Sequence, residues 1–130
     1  MSTFVLKKIE SVIGKQDFFE LVEDGNSQFD DFCEEIKQTK QYYSELLTIF
    51  TLMNLVAQIR MLPAKKFKDI TTKNEQVKEK KIKTKHLRVY AFHIEKTGKI
   101  IAYGGYKNTQ KEDIPKFPSF KSKYLKSLHK

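Results

Sequence analysis

KEKKIKTKHLRVYAFHIEKTGKIIAYGGYKNTQK, residues 78–111, holds two apolar strand-like runs inside a setting of nine lysines and one arginine. LRVYAFHI and KIIAYGGY are rich in β-branched and aromatic residues, at strand length, and so read as strands over 87–94 and 99–106. Glu95-Lys96-Thr97-Gly98 reads as the hairpin loop between them. The basic residues 78–84 add a third strand, giving a β-meander over 78–106. A sheet dressed with this much positive charge suits a polyanion, most often a phosphate backbone. The plain alternative is a lysine-rich face that only keeps the chain in solution.

Strand parity sorts the meander into two faces, because cross-strand partners share a face and so do alternate residues of one strand. With a four-residue loop, Ile94 lies opposite Lys99, Tyr90 opposite Tyr103 and Arg88 opposite Gly105. Leu87, Val89, Ala91, Ile100 and Ala102 then form the apolar seat for helices. His86, Arg88, Tyr90, Tyr103 and Lys107 form an opposite, uncovered face. Arg88 and Lys107 on that face suit phosphate, the first through its planar fork and the second as a point charge. Tyr90 and Tyr103 suit base stacking, and Gly104-Gly105 would let a backbone approach closely. Plain alternatives are that the tyrosines merely cover the sheet and that the glycines mark a bulge.

Outward from the meander, charge divides the chain. Residues 1–60 hold 6 Lys+Arg and 10 Asp+Glu, a net of −4, and the remaining 19 and 6 give residues 61–130 a net of +13. The total of 130 residues suits one domain with an ordinary core. The single cysteine, Cys33, excludes an internal disulfide, and no Cys/His cluster has zinc spacing. Lys7, Lys8 and Glu10 interrupt any apolar run at the N-terminus, so no signal peptide is expected and a reducing, cytoplasmic compartment is the default.

The first half supplies the remaining elements. Residues 4–13 and 17–23 read as a hairpin turning at Gly14-Lys15-Gln16. Ser27-Gln28-Phe29-Asp30 has capping-box form, and Phe29, Phe32, Cys33 and Ile36 follow at helical spacing, so a helix is predicted over 27–38. A second helix, 41–61, ends before Pro63. It is apolar around most of its circumference, with Thr48, Thr51, Asn54 and Gln58 as a polar stripe, and is too short and interrupted to span a membrane. Residues 63–77 read as a basic connection and 107–116 as a polar loop. A last helix, 118–128, opens on Pro118, with Phe117, Phe120, Tyr124 and Leu128 on its apolar side and Lys121, Lys123, Lys126 and Lys130 on its wet side. The expected fold is α+β, an antiparallel sheet backed by two helices in the order ββααβββα.

The meander, together with the polar run after its last strand, resembles the RelE/ParE toxin superfamily, the toxin halves of bacterial toxin–antitoxin modules. The likeness covers about residues 79–114. It consists of the basic strand KKIK, the arginine-led strand LRVYAF, the strand IIAYGGY and the run Lys107-Asn108-Thr109-Gln110-Lys111. The upstream helix pair fits the family order, and the N-terminal hairpin is an addition to it. The resemblance implies a single RelE-like domain over 1–130 and a toxin that cleaves messenger RNA, often on the ribosome, held by a cognate antitoxin. In the ParE branch it implies instead an inhibitor of a DNA enzyme that cleaves nothing. By position it makes Arg88 the strand arginine and Lys107 and Lys111 the post-strand basic residues. Lys81, Lys83 and Lys85 stand where the cleaving branch keeps lysines. Lys107-Asn108 departs from the paired lysines common there, and Tyr124 stands near the C-terminal tyrosine some members use.

The chemistry so implied needs neither metal nor cofactor. The ribose 2′-OH attacks the adjacent phosphorus, giving a cyclic phosphate and a free 5′-OH. Arg88 would stabilise the phosphate, Lys83, Lys85 or His86 would move the 2′-OH proton, and Lys107 or Lys111 would assist the leaving group. Lys81, Tyr90, Tyr103, Lys107 and Lys111 would bind the RNA. A non-catalytic binding protein on the same fold and a general interaction module are the alternatives.

Overall fold

The computed structural model describes residues 2–59, 62, 66–71, 77–95 and 97–128. Its elements are β1 (Phe4–Lys8), β2 (Phe18–Glu23), β3 (Asn26–Ser27), α1 (Gln28–Thr39), α2 (Tyr43–Ala57), β4 (Phe67–Asp69), β5 (Lys78–Lys83), β6 (Leu87–Ile94), β7 (Gly98–Tyr106) and α3 (Gln110–Ser127), with one 3-10 turn, Lys107–Thr109, leading into α3. The fold is α+β. The strands form one sheet in the order β1-β2-β7-β6-β5-β4, with β3 attached to β2. The sheet is mixed rather than antiparallel throughout, because β2 runs parallel to β7 where Phe18, Phe19 and Glu20 pair with Lys99, Ile100 and Ile101. Two strands beyond the expected order appear: the short β3, and β4 inside the stretch read as a connection. Among the described residues no helix is long and apolar enough to cross a membrane.

Helices cover both faces of the sheet. On one side α1 lies over β2 and β7 while α2 lies over β5 and β6. Phe29, Phe32 and Ile36 of α1, with Leu46, Ile49 and Met53 of α2, bury there against Phe18, Ile82, Leu87, Val89 and Ala91. Ser27 caps α1, its Oγ accepting the Asp30 N–H at 3.1 Å. Cys33 is buried in this layer, and burial pushes its thiol pKa up to about 12. On the other side, Phe117 and Tyr124 of α3 bury against Leu21, Tyr90, Phe92, Ile100, Ala102 and Tyr103. The face expected to be uncovered is therefore roofed by α3.

The register of the meander carries a second correction. The β6–β7 loop takes three residues, so Ile94 pairs with Gly98 and Phe92 with Ile100. A bulge between Tyr90 and Ala91 then shifts the pairing by one, restoring Tyr90 opposite Tyr103, Arg88 opposite Gly105 and Leu87 opposite Tyr106. The bulge lies at Ala102, not at the glycines. Ile100 and Ala102 consequently face α3, and Ile101 takes the place beneath α1 and α2.

Gly104 and Gly105 serve two close approaches on opposite faces. A Cβ on Gly104 would stand 2.3 Å from Phe32 Cδ2, and one on Gly105 would stand 2.2 Å from Asp113 Oδ2. Because the Phe32 ring is held inside the core, Gly104→Ala should lower stability by about 1–3 kcal/mol, the usual range for overpacking. A urea titration monitored by circular dichroism measures this, and an unchanged midpoint would contradict the packing.

The N-terminal hairpin is looser than its sequence suggests. β1 stops at Lys8, and residues 9–17 form a long connection with Ile9 and Val12 buried. Asn54 of α2 secures that connection, its Oδ1 accepting the Ile13 N–H at 2.9 Å while its Nδ2 donates to the Ser11 carbonyl at 3.3 Å. The polar stripe of α2 thus has a docking role at this residue. α2 itself ends at Ala57, followed by Ile59 at φ +60°. The expected helix end at Met61, with Pro63 beyond, lies outside the described residues, as do Lys96 and Lys130.

α3 begins at Gln110, eight residues before the position predicted from Pro118, and carries both Pro115 and Pro118 inside it. Its expected wet side is also revised. Phe117, Lys121 and Tyr124 recur at spacings of four and three, which puts them on one helical face. Lys121 is accordingly buried and ion-paired with Glu79 of β5, each side chain 2 % exposed. Its Nζ also donates to the Val77 carbonyl at 3.1 Å.

Candidate active site

The turn between β5 and β6 is organised by one carboxylate. Glu45, in the first turn of α2, accepts from the Thr84 hydroxyl at 2.5 Å and the His86 N–H at 2.7 Å through Oε1. Its Oε2 meets His86 Nδ1 at 2.7 Å. Burial pushes the Glu45 carboxyl up, but the bonds from Thr84 and His86 outweigh it and hold the group below its usual range. With Nδ1–H donated to the carboxylate, His86 keeps Nε2 as its available nitrogen, and the side chain is 43 % exposed. Tyr42, preceding α2, stacks on the imidazole with ring centres 4.8 Å apart. Tyr106, tilted against Tyr42, donates its hydroxyl to Glu35 of α1.

These rings wall an open cleft of about 570 Å³ lined by Tyr42, His86, Tyr106, Lys107, Asn108, Thr109 and Gln110. The Lys107 N–H bonds the His86 carbonyl at 2.8 Å, so the start of the 3-10 turn is fastened to the histidine. The Thr109 hydroxyl donates to Asp113 Oδ2 at 2.7 Å, locking the turn to α3.

Behind Gln110 lies a row of cations. Lys83 and Arg88 are cross-strand partners, and Lys81 pairs across from Tyr90. Arg88 Nη1 donates to the carbonyls of Thr84 at 2.6 Å and Leu87 at 2.8 Å, while Nε donates to Gln110 Oε1 at 3.1 Å. Lys81 Nζ reaches the same Gln110 oxygen at 3.0 Å. Burial, then the charges of Lys83 and Arg88, lower the Lys81 pKa from its ordinary value. Thr84 thus stands between the two groups, its carbonyl accepting from Arg88 and its hydroxyl donating to Glu45, which in turn holds His86.

Of the residues singled out in the sequence, Lys81, Lys83 and Arg88 share one face of the β5–β6 pair, while His86 and Lys107 line the cleft on the other side of Gln110. Lys85, Lys107 and Lys111 are exposed, and neither Lys85 nor Lys111 lines the cleft. Arg88, expected on an uncovered face, is 6 % exposed. Tyr90 and Tyr103 are buried beneath Phe117, with ring centres 5.8 and 6.0 Å from it, so base stacking on them is blocked while α3 is in place. Tyr124 lies in the same buried layer, against Phe92 and Phe4. His93 stands at the loop end of the meander, where Lys99 Nζ lies 2.9 Å from its Nδ1.

Glu45, Tyr42 and Gln110 were not legible as site residues. Glu45 had one signal, being the sole acid in residues 41–61 of an otherwise apolar helix. Among the described residues no group of three or more histidine, cysteine and carboxylate side chains is arranged as metal ligands would be. The chain matches no family model, no curated protein and no solved structure.

Proposed function

We propose that the chain is a RelE-like endoribonuclease that acts on messenger RNA without a metal, with its centre at the β5–β6 turn. The observation that carries this reading is the His86–Glu45 pair at a cleft, bonded through Thr84 to a buried arginine. His86 Nε2 takes the 2′-OH proton as O2′ bonds to phosphorus, and Glu45 steadies the imidazolium that forms. Lys81, Lys83 and Arg88 hold the negative charge growing on the phosphate oxygens. The P–O5′ bond breaks, and a proton supplied from Lys107, directly or through solvent, completes the 5′-OH. An antitoxin segment is the partner this reading carries with it.

The second reading, a non-catalytic binding protein of the same form, is favoured by one observation: Lys81 and Arg88 are already engaged by Gln110. Incubation of the full chain with a 5′-labelled transcript separates the two. Cleavage leaving cyclic phosphate ends supports the nuclease, and tight binding to intact RNA supports the alternative. Under either reading affinity should fall steeply with salt, with a slope shallower by about one for each phosphate-contacting lysine replaced by alanine. Binding that is indifferent to salt would remove this basic face as the RNA site.

A further inference from the structure

We infer that the Gln110 carboxamide occupies the seat of a phosphate oxygen, so that the chain holds its own site closed. The assignment of the anion as a phosphodiester rests on the nuclease reading; the seat itself rests on geometry. Lys81 and Arg88 are 8 % and 6 % exposed, and among the described residues neither forms an ion pair with a carboxylate. Buried cations are ordinarily paired with charge of the opposite sign. Here both instead converge on one neutral oxygen, Gln110 Oε1, at 3.0 and 3.1 Å.

Three features make this arrangement a seat rather than a settled contact. Thr84 and Leu87 hold Arg88 Nη1, which aims Nε at a fixed point. A phosphate oxygen at that point would carry formal charge, and charge-assisted hydrogen bonds of this kind are about twice as strong as neutral ones. Directly across the strand pair from Lys81, the Tyr90 hydroxyl is buried and makes no hydrogen bond among the described residues, so a further donor stands on the same face. Gln110 is also the residue that separates these donors from the cleft, since it lines the cleft beside His86 and Lys107. Withdrawal of its side chain, without unwinding α3, joins the seat to the cleft. Gln110 is thus a positioning and gating residue, acting through Lys81 and Arg88.

The test is a titration of the full chain with inorganic phosphate, following the Arg88 Nε–H signal by nuclear magnetic resonance. Gln110→Ala removes the internal occupant and should bind phosphate about tenfold more tightly than wild type, in keeping with one hydrogen bond to a charged group. Gln110→Glu installs a full charge in the seat and should weaken phosphate binding at least tenfold. Equal affinity in wild type and Gln110→Glu would overturn the inference, as would Gln110→Ala binding no better than wild type. Should the alanine variant not fold, the glutamate variant decides alone. The two proposals fail separately. Phosphate affinities in the expected order with intact RNA would leave the seat and remove the nuclease. RNA cleavage with three equal affinities would do the reverse.

Discussion

His86→Gln is expected to lower the RNA cleavage rate on the order of a hundredfold or more, the usual loss when a positioned general base is removed. Folding should change little, because a glutamine amide can still donate toward Glu45 and the histidine side chain is 43 % exposed. Glu45→Gln should reduce the rate less but cost more stability. Thr84, the His86 N–H and the imidazole all address that one carboxylate, and its replacement weakens all three bonds. Single-turnover cleavage with a melting curve for each variant checks both statements. Full cleavage by His86→Gln would transfer the role of base to a lysine. Arg88→Ala is a poorer probe, because it also vacates buried bonds to Thr84, Leu87 and Gln110 and so lowers stability together with activity.

The largest stability effect is expected at Lys121. Lys121→Ala leaves Glu79 buried on the α3 face of β5 without the cation beside it. Breaking a buried pair from one side costs about 3–5 kcal/mol. Replacing both partners with apolar residues, Glu79→Leu with Lys121→Met, should recover most of that loss, since an ion pair of this kind is often matched by well-packed hydrophobes. Denaturant titration of Lys121→Ala, Lys121→Met, Glu79→Leu and the double variant makes the comparison. A single variant as stable as wild type would mean that α3 is held by its aromatics alone.

The strands of the meander were legible because β-branched and aromatic residues run at strand length there. Leu87, Val89 and Ala91 alternate against an apolar layer, and Ser27 announces the start of α1. The failures have physical causes. A loop one residue shorter than expected, compensated by the bulge at Ala102, exchanged Ile101 for its neighbours, and no local signal in IIAYGG marks such a bulge. Pro115 read as a loop residue and Pro118 as a helix start, yet the helix carries both in its interior, and its roof over Tyr90 follows from tertiary packing that periodicity does not encode. Lys121 could have been found, since its spacing from Phe117 and Tyr124 places it on their stripe. Of the site, the basic residues were visible by composition. The Glu45–His86 pair was not, because it joins positions 41 residues apart through a turn.

The parallel contact between β2 and β7 sets an order of events for a chain emerging from the ribosome. β2 can pair early with β1 along one edge and with β3 at the far end of the other, but Phe18–Glu20 of that second edge meet residues 99–101, about eighty positions downstream. Until β7 has been synthesised, Phe18 and Leu21 sit on a hairpin whose inner border offers unpaired N–H and C=O groups. Closing so distant a pairing is slow relative to local structure. The half-made protein therefore exposes a sticky border for as long as the central strands take to arrive, which is the interval when a chaperone, or another copy of the same hairpin, has most opportunity to bind.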